Sequence, residues 1–133
     1  MNYFREEDLA TLSRLEAFRD AVDNDESILT NIENDVIAEI TIYLGSIYDL
    51  EPYFTNVKES KILRSISKRL FEYYIIKRGG GFTESTDKHY SEIIRLLRDI
   101  RDGKHSLNID TIKYDTTEVY SSFDFSGISE SFL

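Results

Sequence analysis

The chain has 133 residues, 41% of them apolar and 31% charged, enough for one folded domain with a real core. Asp plus Glu outnumber Lys plus Arg by 25 to 16, a net charge of −9 that argues against a dedicated nucleic-acid binder or an anionic-membrane surface binder. With no cysteine, disulfides, thiolate catalysis and cysteine metal sites are excluded, and two histidines are too few for most histidine-based metal sites.

No apolar run approaches the roughly 20 residues of a spanning helix. The leading residues, MNYFREEDL, have neither a basic nor an apolar signal region, so the expected compartment is the cytoplasm or something assembled there. The first element expected is a helix from about Glu6 to Ala21. Three acids suit its positive end, and Leu9, Leu12, Leu15 and Phe18 form its stripe. The acidic run Asp23-Asn24-Asp25-Glu26-Ser27 reads as a solvated loop. As a calcium loop it would need Gly at the sixth position and Glu at the twelfth, where Ile28 and Asn34 stand.

Thr30-Asn31-Ile32-Glu33 has the spacing of a capping box and predicts the start of the second helix. Ile32, Val36, Ile40 and Ile47 continue at helical spacing, and Pro52 is read as closing the region. The third helix is expected from about Ser60 to Arg78, with Ile62, Leu63, Ile66, Leu70, Tyr73 and Tyr74 on its apolar face. Gly79-Gly80-Gly81 ends it. No Lys-Ser or Lys-Thr follows those glycines, so they read as a helix connection rather than a phosphate cradle. The fourth helix is expected from about Asp87 to Asp102, with Gly103 at its C-terminal stop. Leu12, Ile40, Ile66, Leu70, Ile94 and Leu97 are the predicted core.

Beyond Gly103 the helical stripe disappears. Residues 106–133 hold five acids and one base and are rich in Ser, Thr and aromatics, with weak strand-like alternation. The fold class expected is therefore all-α: a four-helix, bundle-like core over residues 1–107 and an extended C-terminal arm over 108–133, with short strands as an option.

Charge is segregated along the chain. Residues 1–59 carry −10, residues 60–105 carry +5 and residues 106–133 carry −4. Arg64 and Lys68 lie four apart, and Arg95, Arg98 and Arg101 follow at three-residue steps, so each set shares a helix face. These five are candidate subunit-interface residues, able to meet the acidic front half of a second copy. Tyr114, Tyr120, Phe123, Phe125 and Phe132 on the polar arm are candidate docking anchors, because such rings bury large area with few rotors. His89 and His105 read as helix-end surface residues. No nucleophile elbow is present, and no carboxylate pair is flanked by an aromatic cluster. No catalytic residue, cofactor or metal site is assigned.

In order, these elements resemble the head–tail connector (adaptor) proteins of tailed bacteriophages, the Mu-like connectors and their head-completion relatives. The resemblance rests on Glu7-Asp8-Leu9 before a short helix; NDVIAEITIYLGSIYDL with Tyr43, Leu44, Tyr48 and Leu50; the phrase around RLFEYYIIKR; and Tyr90, Leu96-Leu97 and DGKHSL from Asp102 to Leu107. This chain departs from the family in an Ile-rich rather than Ala-rich second helix and in a single proline followed by Tyr53-Phe54. The resemblance implies a non-enzymatic virion subunit at the head–tail junction, forming a ring, commonly a dodecamer, beneath the portal protein. DNA would pass through the ring without specific binding, and a tail or further connector protein would attach below. The arm would dock on the portal or another ring. The rival reading is a small soluble helical regulator that binds a protein partner through the same arm.

Overall fold

The computed structural model describes residues 2–10, 26–79 and 83–112. They form five helices: α1 Glu6–Leu9, α2 Glu26–Leu44, α3 Glu51–Phe54, α4 Lys61–Arg78 and α5 Glu84–Arg101. The fold is all-α. Among the described residues β structure is confined to one isolated antiparallel bridge, Tyr48 with Thr111. Leu12 and the remainder of the first expected helix lie outside the described residues.

Helix α2 starts a turn earlier than the capping-box spacing predicts. Thr30 lies inside it, and its hydroxyl donates back to the Glu26 carbonyl at 3.4 Å. Glu33 caps nothing on α2: its carboxylate is turned to the N-terminal segment, described below. Ile32, Val36, Ile40 and Leu44 recur at four-residue steps and are all buried. The helix gives way to a turn at Gly45, whose amide donates to the Thr41 carbonyl at 2.8 Å. A Cβ there would stand 2.6 Å from that same oxygen, so the close approach requires glycine.

Pro52 opens a helix instead of closing a region. It sits in the first turn of α3, where a missing amide costs nothing, and it brings Tyr53 and Phe54 into the core. Helix α4 begins where expected, with the Ser60 hydroxyl accepting from the Leu63 amide at 3.1 Å. It ends at Gly79 in a right-handed conformation, φ −76°. Helix α5 begins at Glu84 because Thr83 caps it, accepting from the Thr86 amide at 3.2 Å. Gly103 stops it with φ +85°, the left-handed conformation that favours glycine.

The helices α2, α4 and α5 pack mutually around one core. Val36, Ile40 and Leu44 share one buried cluster with Leu63, Leu70, Phe71 and Ile75 of α4 and Ile93, Leu97 and Ile100 of α5; Tyr3, Phe4 and Leu107 belong to it too, with the Phe4 ring packed on Phe71. Of the predicted core, Ile40, Ile66, Leu70, Ile94 and Leu97 are buried. The chain remains attached past residue 107. The Asp49 amide donates to the Asp110 carbonyl at 3.1 Å, the Ile112 amide donates to the Ile47 carbonyl at 2.9 Å, and Lys58 pairs with Asp110. Tyr114, Tyr120, Phe123, Phe125 and Phe132 lie outside the described residues.

Candidate functional site

Arg64 organises one side of the molecule. Its guanidinium donates to the Asp8 carboxylate at 2.8 Å, the Glu59 carboxylate at 2.8 Å, the Asn56 side-chain oxygen at 2.6 Å and the Tyr3 carbonyl at 3.2 Å. It also stands 4.4 Å from the centre of the Tyr3 ring. Only 11% of the side chain is exposed. Arg64 is therefore engaged within its own chain, tying the N-terminal segment and α1 to the α3–α4 connection. Asn56, in the left-handed conformation at φ 63°, completes the tie by donating to the carbonyls of Asn2 and Tyr3. Burial works against the Arg64 charge, but the bond to Glu59 and the negative field of Tyr3 and Asp8 raise its pKa overall. Hydrogen bonds from Arg64 and Arg5 hold the Glu59 carboxyl below the usual range.

Beside this tie lies a concave site of about 390 Å³ lined by Asp8, Lys61, Arg64, Ser65, Lys68, Arg69 and Glu72. Helical spacing brings the α4 members together: 61, 65, 68, 69 and 72 fall on one face. Lys61, Ser65 and Arg69 are exposed, and Lys68 and Glu72 are half-buried. The Asp8 charge is answered by Arg64, so among the described residues Lys61, Lys68 and Arg69 share the cleft with one further carboxylate, Glu72. The lining of the cleft is therefore predominantly basic. Lys61 and Arg69 were legible by the same helical spacing, since they lie four residues before and after Ser65, next to Arg64 and Lys68 on that face.

The other basic set lies elsewhere. Arg95, Arg98 and Arg101 are exposed along α5, outside this cleft. Arg101 donates to Asp102 at 3.1 Å and stands 5.9 Å from the Tyr43 ring centre. Among the described residues no three of His, Cys, Asp and Glu gather as metal ligands. His89 is half-buried and His105 exposed.

The contacts made by two carboxylates on α2 had no signal in the sequence, which offered Glu33 only as a capping-box residue. Glu33 is 3% exposed and accepts the backbone amides of Asn2, Tyr3 and Phe4 at 2.9, 2.9 and 2.8 Å. Glu39 accepts the hydroxyls of Tyr74 on α4 and Tyr90 on α5, the latter at 2.7 Å. Tyr73 stacks on Tyr90 with ring centres 4.2 Å apart. Burial, then the bond to Glu39, pushes the Tyr74 and Tyr90 hydroxyls well above their ordinary pKa.

No helix among the described residues is long and apolar enough to cross a membrane. No curated protein and no solved structure shows significant similarity to the chain. One family model, described as bacteriophage Mu Gp36, matches residues 1–122, from the N-terminal segment held by Glu33 past the tether at Ile112. By that match the chain belongs to the bacteriophage Mu Gp36 family.

Proposed function

We propose that this protein is a structural subunit of a tailed phage: a head–tail connector that forms a ring under the portal and links the capsid to the tail while DNA passes through. The match to the phage Gp36 family over residues 1–122 carries this reading. The charge segregation supports it. Half-buried Lys68 and the exposed α5 arginines on one copy meet the acid-rich front half of the next in a head-to-tail contact, which closes as a ring when its rotation closes. Arg64 serves that surface from within, by holding α1 against α4. The aromatic residues of the arm are the docking anchors for partner proteins. An acid-lined passage neutralises few phosphates, so DNA slides without being held.

The test is the mass of the purified protein by light scattering, alone and mixed with the portal of the same phage. The expected result is incorporation at one copy per portal subunit, or as a matching ring. A chain that ignores the portal of its own phage overturns the connector reading and returns the soluble regulator.

A further inference from the structure

We propose that the basic cleft on α4 receives the acidic, aromatic C-terminal segment, residues 114–133, of a second copy of this chain. The proposal rests on the ring reading and names the contact by which one subunit holds the next.

Three observations carry it. The first is charge. Among the described residues no carboxylate is ion-paired with Lys61, Lys68 or Arg69 in the cleft, where Arg64 and Asp8 answer each other. Residues 114–133 contain Asp115, Glu118, Asp124 and Glu130 and no base. The whole chain at −9 repels its copies, so association needs complementary patches, and each copy carries one of each.

The second is size. A concavity of about 390 Å³ falls in the range of small-ligand sites, roughly 300–1,000 Å³. That volume takes a few side chains of an extended segment, not the face of a folded domain. The third is mixed polarity. Exposed ion pairs contribute about 0–1 kcal/mol each, so a segment held by charge alone would bind weakly. Phe123-Asp124-Phe125 places a carboxylate between two rings. The cleft offers the matching pattern: ammonium and guanidinium heads on apolar stems, and the Ser65 hydroxyl.

The geometry of the tether permits exchange between copies. The chain is held as far as Ile112, bonded to the Ile47 carbonyl. The 20 residues of 114–133 span up to about 70 Å when extended, enough to reach a neighbouring subunit. Because cleft and segment are different surfaces, the contact is heterologous and each subunit both gives and receives.

The experiment is a charge swap in the full-length chain. One variant carries Lys61→Glu, Lys68→Glu and Arg69→Glu; the other carries Asp115→Lys, Glu118→Lys, Asp124→Lys and Glu130→Lys. Molar mass is followed by light scattering from low to moderate salt, with far-UV circular dichroism as the folding control. Where the triple variant loses its helical signal, Lys68→Ala with Arg69→Ala replaces it. Each variant alone is expected to self-associate about tenfold more weakly or worse. An equimolar mixture of the two charge-swapped variants is expected to regain association, because the reversed segment of one fits the reversed cleft of the other.

A wild-type chain that stays monomeric at high concentration and low salt overturns the proposal. So do variants that keep the wild-type mass, which would place the segment on its own chain, and a mixture that fails to recover. Portal binding without the charge-swap effect leaves the connector reading standing and removes this one. Self-association through the cleft by a chain that ignores its portal does the reverse.

Discussion

Glu33 and Glu39 stand six residues apart on α2 and are both drawn from solvent, yet they hold different things. Glu33 holds peptide backbone: three consecutive amides of the N-terminal segment converge on one carboxylate. Glu39 holds side chains: one tyrosine hydroxyl from α4 and one from α5. Backbone amides buried beside a core cannot turn away when their acceptor is lost, whereas a half-buried phenol can rotate toward water. The first contact therefore fixes where the chain begins, placing Tyr3 and Phe4 in the core. The second adjusts how three finished helices meet.

This contrast orders the expected effects of mutation. Glu33→Ala leaves three amides unsatisfied, two of them buried, and is expected to lower stability by about 3–5 kcal/mol in urea unfolding. Glu33→Gln keeps one acceptor oxygen and should lose less. Arg64→Ala comes next, at about 3 kcal/mol, because it leaves Asp8 charged and nearly buried without its partner. Protease cleavage near the N-terminus should rise in both variants, as the segment over Tyr3 is released. Glu39→Ala is expected to cost about 1–2 kcal/mol, with the N-terminus still protected. Equal losses for Glu33→Ala and Glu39→Ala would break the contrast.

The smallest effect is with pH. Tyr74 and Tyr90 keep their protons in the folded state above the ordinary phenol value of 10.0, where the unfolded chain loses them. Their contribution is complete below that pH and declines as pH rises past it. Urea unfolding across this alkaline range should show a shallower decline in Tyr74→Phe with Tyr90→Phe than in the wild type.

Much of the helical framework was legible because its signals are local. Ser60 and Gly79 bound α4 where the sequence predicts, and the stripes of α2, α4 and α5 point to the core they build, except Ile62 of the α4 stripe, which is exposed. The errors are equally specific. Thr-x-x-Glu at 30–33 has capping-box spacing, but the same spacing also lies along one face of a continuing helix. Nothing near it reveals that the N-terminal segment claims Glu33. Pro52 reads as a stop in the sequence, whereas the structure uses it in the first turn of α3 and buries Tyr53 and Phe54 behind it. Arg64 and Lys68 share a face by spacing. That spacing is silent on which of them would be turned toward Asp8, 56 residues away.

The sequence by itself determined the class of the molecule: helices written in three- and four-residue periods, stops at glycine, and a charge that changes sign along the chain. These depend on residues within a turn or two of one another, whose geometry the backbone imposes. Only the tertiary structure decided what each polar group does. Glu33, Glu39 and Arg64 each find partners 29 to 61 residues away, brought close by core packing that takes these groups out of water and makes protein partners necessary.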